Sequence, residues 1–376
     1  MELKKRKKWM DVAKGIALFM VLLGHGMRDT MRVNNAGLDY VYRVCYVFHM
    51  SFFFFLSGYS LKNSMERYNY DKVKMANKKI RALVFPWIAY TLFIYVVFNT
   101  ALVIPGIKKI LYGSGYEKKA LAAYLIEALQ ANNEWAYHLW FLLVLFIISI
   151  LFILLSAKKG KGQLGIWIII AASLFTVGYG YYDFLGDWND LFFHLAVYIP
   201  YFGIGYAIQL GKYVEINNQK NSWMKGLELL GVAYILIRAK WFSGFNGNNI
   251  AGDTKLVRVT VAYLGYILMP FAMILLCQVS NILSEKRDFL MDKFAWLGEN
   301  SFNVYLWHQP FCCAFCGVVL YDKLGVPAIV TIGVCITLSI IAGWIITQLK
   351  QIINNSILKI RESTSKKEES IRYDIK

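Results

Sequence analysis

The 376-residue chain is predicted to be all-α: a polytopic transmembrane helix bundle of about ten spans with both termini cytoplasmic. Three observations predict it. First, 57% of the residues are hydrophobic and the mean hydropathy is +0.43, with long apolar runs recurring from end to end; about 20 such residues cross a hydrocarbon core. Second, only 17% are charged, and these cluster between the runs. Third, the clusters are unequal. With the N-terminus inside, the segments 1–8, 62–81, 157–163, 211–225, 278–293 and 350–376 hold 28 of the 41 Lys and Arg, the outside segments hold 12, and Lys14 is the remaining one. Basic loops stay on the cytoplasmic side.

The spans follow in order. The first, at about 10–27, is short, so its charged flanks must sit at the membrane faces or inside the bundle. The second, 44–61, carries a run of phenylalanines. The third, 82–103, starts beside Pro86 and just after a basic stretch. The apolar runs 137–156, 164–180, 191–210, 225–243 and 257–277 come next. The ninth, 301–320, is the most polar at its entrance, and the tenth is 327–349. Residues 1–355 form the bundle. Residues 356–376 are a charged cytoplasmic tail expected to be disordered.

The net charge of +17 is accounted for by basic loops facing anionic membrane lipids, without a nucleic-acid partner. KKRKK precedes the first run, but no small-residue cleavage pattern follows, so no cleavable signal peptide is expected. The six cysteines lie in or beside spans. Cys313 and Cys316 form a lone CxxC without a partner pair, so no metal site is expected.

Ionisable groups inside a membrane are functional candidates by default. All five histidines (His25, His49, His138, His194 and His308) fall within or beside spans. His138 and His194, each beside aromatics, read most simply as interhelical hydrogen-bonding groups. Lys14 and His25 are eleven residues apart, so they share one face about 20° apart, roughly 16 Å along the axis. Asp11 lies within about 40° of the same line. Gly15, Gly24 and Gly26 allow close approach beside them. The plainer alternative is a lysine snorkelling to the inner surface and a histidine at the outer interface. Lys78, Lys79 and Arg81 form a basic cluster suited to phosphate oxygens, although inside-positive loops alone would also place cations there. Glu299, Asn300, Ser301, Asn303 and His308 crowd the ninth span, where Asn300 or Ser301 also fits a helix cap.

These stretches resemble the integral-membrane acyltransferase family 3, and within it the fucose 4-O-acetylase-like branch. The resemblance rests on WMDVAKGIALFMVLLGHG, FHMSFFFFLSGY, KKIRALVFPW, HLWFLLVLF and LGENSFNVYLWHQPF, spread over residues 9–311. A basic residue, ten others and then histidine is the most specific element, met by Lys14 and His25. Lys78 and Arg81 meet a second, basic element. Many members carry arginine where this chain has Lys14 and Lys78, and lysine does not fork onto two oxygens.

The resemblance implies a multi-pass protein of a bacterial inner membrane. It implies transfer of an acyl group from cytoplasmic acetyl-CoA to a hydroxyl of an extracytoplasmic or lipid-linked sugar of a surface polysaccharide, with no metal. Succinyl or another small acyl group is an alternative. A glycan or lipid transporter is the rival class, and a non-catalytic membrane sensor or scaffold a second. On this reading His25 is general base or nucleophile, because imidazole exchanges protons near neutral pH. Lys14 holds the thioester carbonyl or a coenzyme phosphate, oriented by Asp11. Lys78, Lys79 and Arg81 hold the coenzyme's phosphates. His49, His308 and Asn303 shape the acceptor side.

Overall fold

A computed structural model describes residues 7–112, 117–156, 163–179, 186–208, 210–215, 222–241, 255–285 and 289–374. The expected inside segments at 1–6 and 157–162 lie outside these, as do the side chains beyond Ser356. Among the described residues the chain is helical, with no strand. The order is α1 (Lys8–Gly26), a short α2 (Asp29–Val33), α3 (Ala36–Arg67), α4 (Lys72–Lys79), α5 (Phe85–Ala101), α6 (Pro105–Tyr112), α7 (Leu121–Leu129) and α8 (Trp140–Leu155). Then come α9 (Gln163–Tyr179), α10 (Asn189–Ala207), α11 (Leu210–Glu215), α12 (Ser222–Trp241), α13 (Lys255–Glu285), α14 (Phe289–Glu299), α15 (Ser301–Trp307) and α16 (Ala328–Asp374).

Among the described residues seven helical segments are long and apolar enough to cross a membrane: Lys8–Gly26, Ala36–Arg67, Lys72–Ala101, Tyr137–Leu155, Val259–Glu285, Ser301–Lys323 and Ala328–Ser356. The other three expected spans coincide with α9, α10 and α12, which are shorter or more polar. The molecule is a polytopic helix bundle. Its outer surface is apolar as well as its core, and a few polar groups lie inside. Phe85, Ile88, Leu92, Phe93 and Val96 on α5, and Ile341, Trp344, Ile345 and Leu349 on α16, face outward, while His49, His138, His194 and His308 are buried. In lipid there is no water to solvate an outward-facing imidazole, so polar groups turn inward.

The helix α16 is drawn on to Asp374, through most of the charged tail. Two expectations are corrected. The ninth span is not one straight helix. Gln309 adopts an extended backbone (φ −114°, ψ 149°) inside a π-type segment, His308–Phe315. Pro310 is the cause: its ring pushes the preceding residue out of helical geometry and it supplies no N–H. Finally, Asn300 sits at the cap position of α15 but makes no side-chain capping bond; its amide donates to the Trp296 carbonyl at 2.9 Å. The real caps are Asn35 on α3 and Asp71 on α4, each accepting from backbone N–H groups.

Two glycine crossings set the frame. A Cβ on Gly298 would lie 1.7 Å from the Asp11 carbonyl oxygen, and one on Gly15 would lie 2.0 Å from that of Phe294. Likewise, Cβ atoms on Gly58 and Gly205 would lie 2.0 and 1.9 Å from the carbonyls of Phe202 and Phe55. Only glycine permits backbones this close. The first crossing aligns α1 with the α14–α15 rod in parallel. Lys8 pairs with Asp292 at 2.8 Å, Asp11 faces Gly298, His25 meets Gln309, and Arg28 pairs with Asp322 at 2.9 Å.

Candidate active site

His25 lies on the inward side of α1, one residue past Gly24. A Cβ at Gly24 would lie 2.9 Å from the Tyr46 ring, so this glycine seats that ring against the helix. The Tyr46 hydroxyl is 3.1 Å from His25 Nδ1, and the Gln309 amide donates to the same nitrogen at 2.9 Å. The break at Pro310 is what frees Gln309 to reach across. With Nδ1 accepting, the neutral ring carries its hydrogen on Nε2.

Three further imidazoles gather around it. His308 is 5.0 Å from His25 between ring centroids and 5.4 Å from His138. Tyr46 separates His25 from His49, with centroid distances of 5.5 and 5.2 Å. His308 Nδ1 donates to the Tyr305 carbonyl at 2.6 Å, and His49 Nδ1 donates to the Cys45 carbonyl one turn back. The His138 ring bonds the Leu306 backbone, and its own carbonyl accepts from the Tyr305 hydroxyl. These bonds hold the tautomers: a nitrogen that donates to a carbonyl leaves the other bare. Among the described residues the bare Nε2 atoms of His308 and His138 are buried without a hydrogen-bond partner. Other histidines act electrostatically on His25, His308 and His138.

The structure brings His25, His49 and His308 together and adds His138, Tyr46 and Gln309 to them. In the sequence His138 reads as an interhelical hydrogen-bonding group. Gln309 was overlooked, although the Gln-Pro pair after His308 is a signal for a backbone break. His194 remains outside the cluster, stacked on Trp140 at 3.8 Å. Asn303 also stays apart. Its amide donates to Thr347 at 2.8 Å, and its carbonyl accepts from Lys350 at 2.5 Å.

Outward from His25 the aromatic contacts continue. Tyr46 lies 4.1 Å from Tyr42 between centroids, and the Arg32 guanidinium sits 3.5 Å over the Tyr42 ring. Arg32 bonds Asp29 and Asp39, and Asp39 also pairs with Arg43 at 2.7 Å. The column ends in a charge-balanced clamp.

At the other end of α1 the expected donor cluster divides. Ile80–Val84 forms a π-type stretch between α4 and α5, just before Pro86. Lys78 and Arg81 are exposed and line a pocket of about 710 Å³ with Tyr68, Asp71, Lys74 and Asn77. Lys74 and Lys78 place their ammonium groups 4.9 and 5.1 Å from the Tyr68 ring. Lys79 turns away, half-buried, into electrostatic reach of Lys14. Asp11 is buried, and Lys14 is half-buried above it. Between Lys14 and His25 the helix carries Leu18 and Val21, packed in an apolar cluster with Leu22, Leu297 and Val304. The pocket and the imidazoles are therefore two polar regions, and this packed apolar cluster, here termed the collar, lies between the levels of Lys14 and His25 along α1. Among the described residues no three His, Cys, Asp or Glu are grouped as metal ligands.

A family model described as an acyltransferase domain matches residues 7–348, nearly the whole chain. No curated protein matches the chain. No solved structure matches it either.

Proposed function

The chain belongs to the acyltransferase family 3 of membrane proteins, and from that premise we propose that it moves a small acyl group, acetyl by preference, from cytoplasmic acetyl-CoA to a hydroxyl of an extracytoplasmic or lipid-linked sugar destined for a surface polysaccharide. One observation carries the reading. Three imidazoles from three separate elements gather around a fourth, His25, inside the bundle, where burying them has no structural reward comparable to apolar packing.

The two polar regions divide the work. The pocket at Tyr68 offers Lys74, Lys78 and Arg81 to phosphate oxygens and the tyrosine face to a planar base. This suits the charged end of coenzyme A, which cannot cross lipid. The thioester end, being uncharged, suits passage through the apolar collar. Lys79 and Lys14 stand at the entrance to that collar as cations for the phosphates or the thioester carbonyl, with Asp11 one turn back. His25 addresses the acyl carbonyl, held through Nδ1 by Tyr46 and Gln309. His49, on the other side of Tyr46, borders the acceptor.

The test is purified protein in liposomes with labelled acetyl-CoA and a sugar-lipid acceptor. The wild type transfers label to the acceptor. His25→Ala abolishes transfer while inserting and purifying normally. Undiminished transfer by that variant would remove His25 from the reaction, and uptake of acceptor without labelling would mean a transporter.

A further inference from the structure

We propose that His308, not His25, is the base that takes the proton from the attacking hydroxyl, and that His25 opposes it as hydrogen-bond donor to the acyl carbonyl. The inference rests on the acyltransferase reading and divides the labour within that site.

The argument is one of tautomers. A general base needs a bare ring nitrogen facing the substrate. On His25 the nitrogen with a lone pair, Nδ1, already receives the Gln309 amide at 2.9 Å, with the Tyr46 hydroxyl 3.1 Å away. Its Nε2 holds the hydrogen and can only donate. His308 is the mirror case. Its Nδ1 donates to the Tyr305 carbonyl at 2.6 Å, so Nε2 is bare, and this atom is buried with no partner on a residue that is 0% exposed. An unsatisfied acceptor buried this deeply is costly unless a donor arrives. A hydroxyl is a donor; a thioester carbonyl is not. The two rings touch edge to face, 5.0 Å between centroids, so one small reacting centre can lie beside both.

The step balances. The hydroxyl oxygen attacks the thioester carbon as its proton moves to His308 Nε2. The negative charge that forms on the carbonyl oxygen is met by His25 Nε2–H. Collapse breaks the carbon–sulfur bond, and the departing thiolate takes the proton back from His308. The products are the ester and the free thiol, and both imidazoles return to their starting state. In between, the His308 cation is steadied through Nδ1 by the Tyr305 carbonyl. The titratable groups around it are His25 on α1, Tyr46 and His49 on α3, His138 before α8 and Tyr305 on its own helix.

The experiment uses the full-length protein in liposomes with acetyl-CoA and compares wild type, His308→Gln and His25→Gln. It reads transfer rate against pH, equilibrium acetyl-CoA binding and thermal unfolding. Glutamine keeps the size and polarity but not the basicity. For His308→Gln the expected result is a loss of about 10²–10⁴-fold in kcat at neutral pH, with acetyl-CoA binding within about twofold of wild type. Its residual rate should climb about tenfold per pH unit, because hydroxide must then do the base's work. His25→Gln should slow transfer but keep the wild-type pH profile, because its loss removes a donor and not the base. Near-wild-type kcat in His308→Gln would overturn the proposal, as would a loss whose pH profile parallels wild type or one that follows a lower unfolding temperature. So would the steep pH profile turning up in His25→Gln instead. Wild-type protein that moves no acyl group would overturn the acyltransferase reading itself.

Discussion

A neutral imidazole has one nitrogen that donates and one that accepts, so whatever partners the first decides what the second can do. The site is legible at this scale once the partners are known, and only then. His25 stands out in the sequence because it shares a helix face with Lys14 and Asp11. His138 does not, because beside Tyr137 and Trp140 it reads as an ordinary interhelical hydrogen-bonding group, and only the fold brings it within 5.4 Å of His308. The basic cluster shows the opposite limit. Lys78, Lys79 and Arg81 look equivalent in sequence, yet a helical step of about 100° per residue sends Lys79 into the bundle and leaves its neighbours on the pocket. Their substitutions should therefore differ. A charged hydrogen bond is worth roughly 1.5–3 kcal/mol, discounted here because Arg81 is exposed. Arg81→Ala should raise the KM for acetyl-CoA about tenfold and leave kcat nearly unchanged. Lys79→Ala should lower kcat more than it raises KM. Steady-state kinetics at varied acetyl-CoA decide this, and equal effects at the two positions would dissolve the distinction.

The elements show why so polar a site can be held rigid in a membrane. Lipid offers no hydrophobic drive for helices to associate, so close backbone contact does the work. α1 and the α14–α15 rod meet at Gly15 and Gly298, and that one contact fixes the level at which His25 and Gln309 face each other ten residues further on. Gly15 was noticed in the sequence as a place for close approach; its partner 283 residues away was not, since nothing local marks it. The all-α bundle is legible from hydropathy, with seven of the expected spans long and apolar enough to cross a membrane among the described residues, whereas the break at Gln309, which depends on a single proline, is not. Overpacking a close contact costs typically about 1–3 kcal/mol, more where backbone is struck. Gly298→Leu should therefore lower the unfolding temperature in detergent and reduce transfer together, while Gly106→Leu, where nothing lies within 4 Å, should change neither. A stable but inactive Gly298→Leu protein would mean that the crossing has a role beyond packing.

For the whole molecule the proposed reaction raises the question of how a charged donor on one side would serve an acceptor on the other. The chain answers with a gradient along α1. Basic residues and the 710 Å³ pocket lie at one end, an apolar collar at Leu18 and Val21 follows, then the imidazoles, and a charge-balanced clamp of Arg28, Arg32 and Arg43 with Asp29, Asp39 and Asp322 closes the other end. The excess of Lys and Arg is the ground for proposing that the pocket end faces the cytoplasm. On the proposed function the collar would have to part for the uncharged acyl arm and would still exclude the phosphates, because moving isolated charge into an apolar medium is prohibitive. It follows that the reaction is sided. In sealed vesicles with the cytoplasmic face outward, externally added acetyl-CoA should support labelling of the sugar acceptor. In vesicles of the opposite orientation it should support none until the membrane is made permeable. Substituting Leu18 by alanine would widen the collar without adding charge. It should leave that sidedness intact while relaxing the choice of acyl group toward longer chains, read by competition between acetyl- and butyryl-CoA. Labelling from both faces by the unaltered protein would show that no such barrier separates the two polar regions.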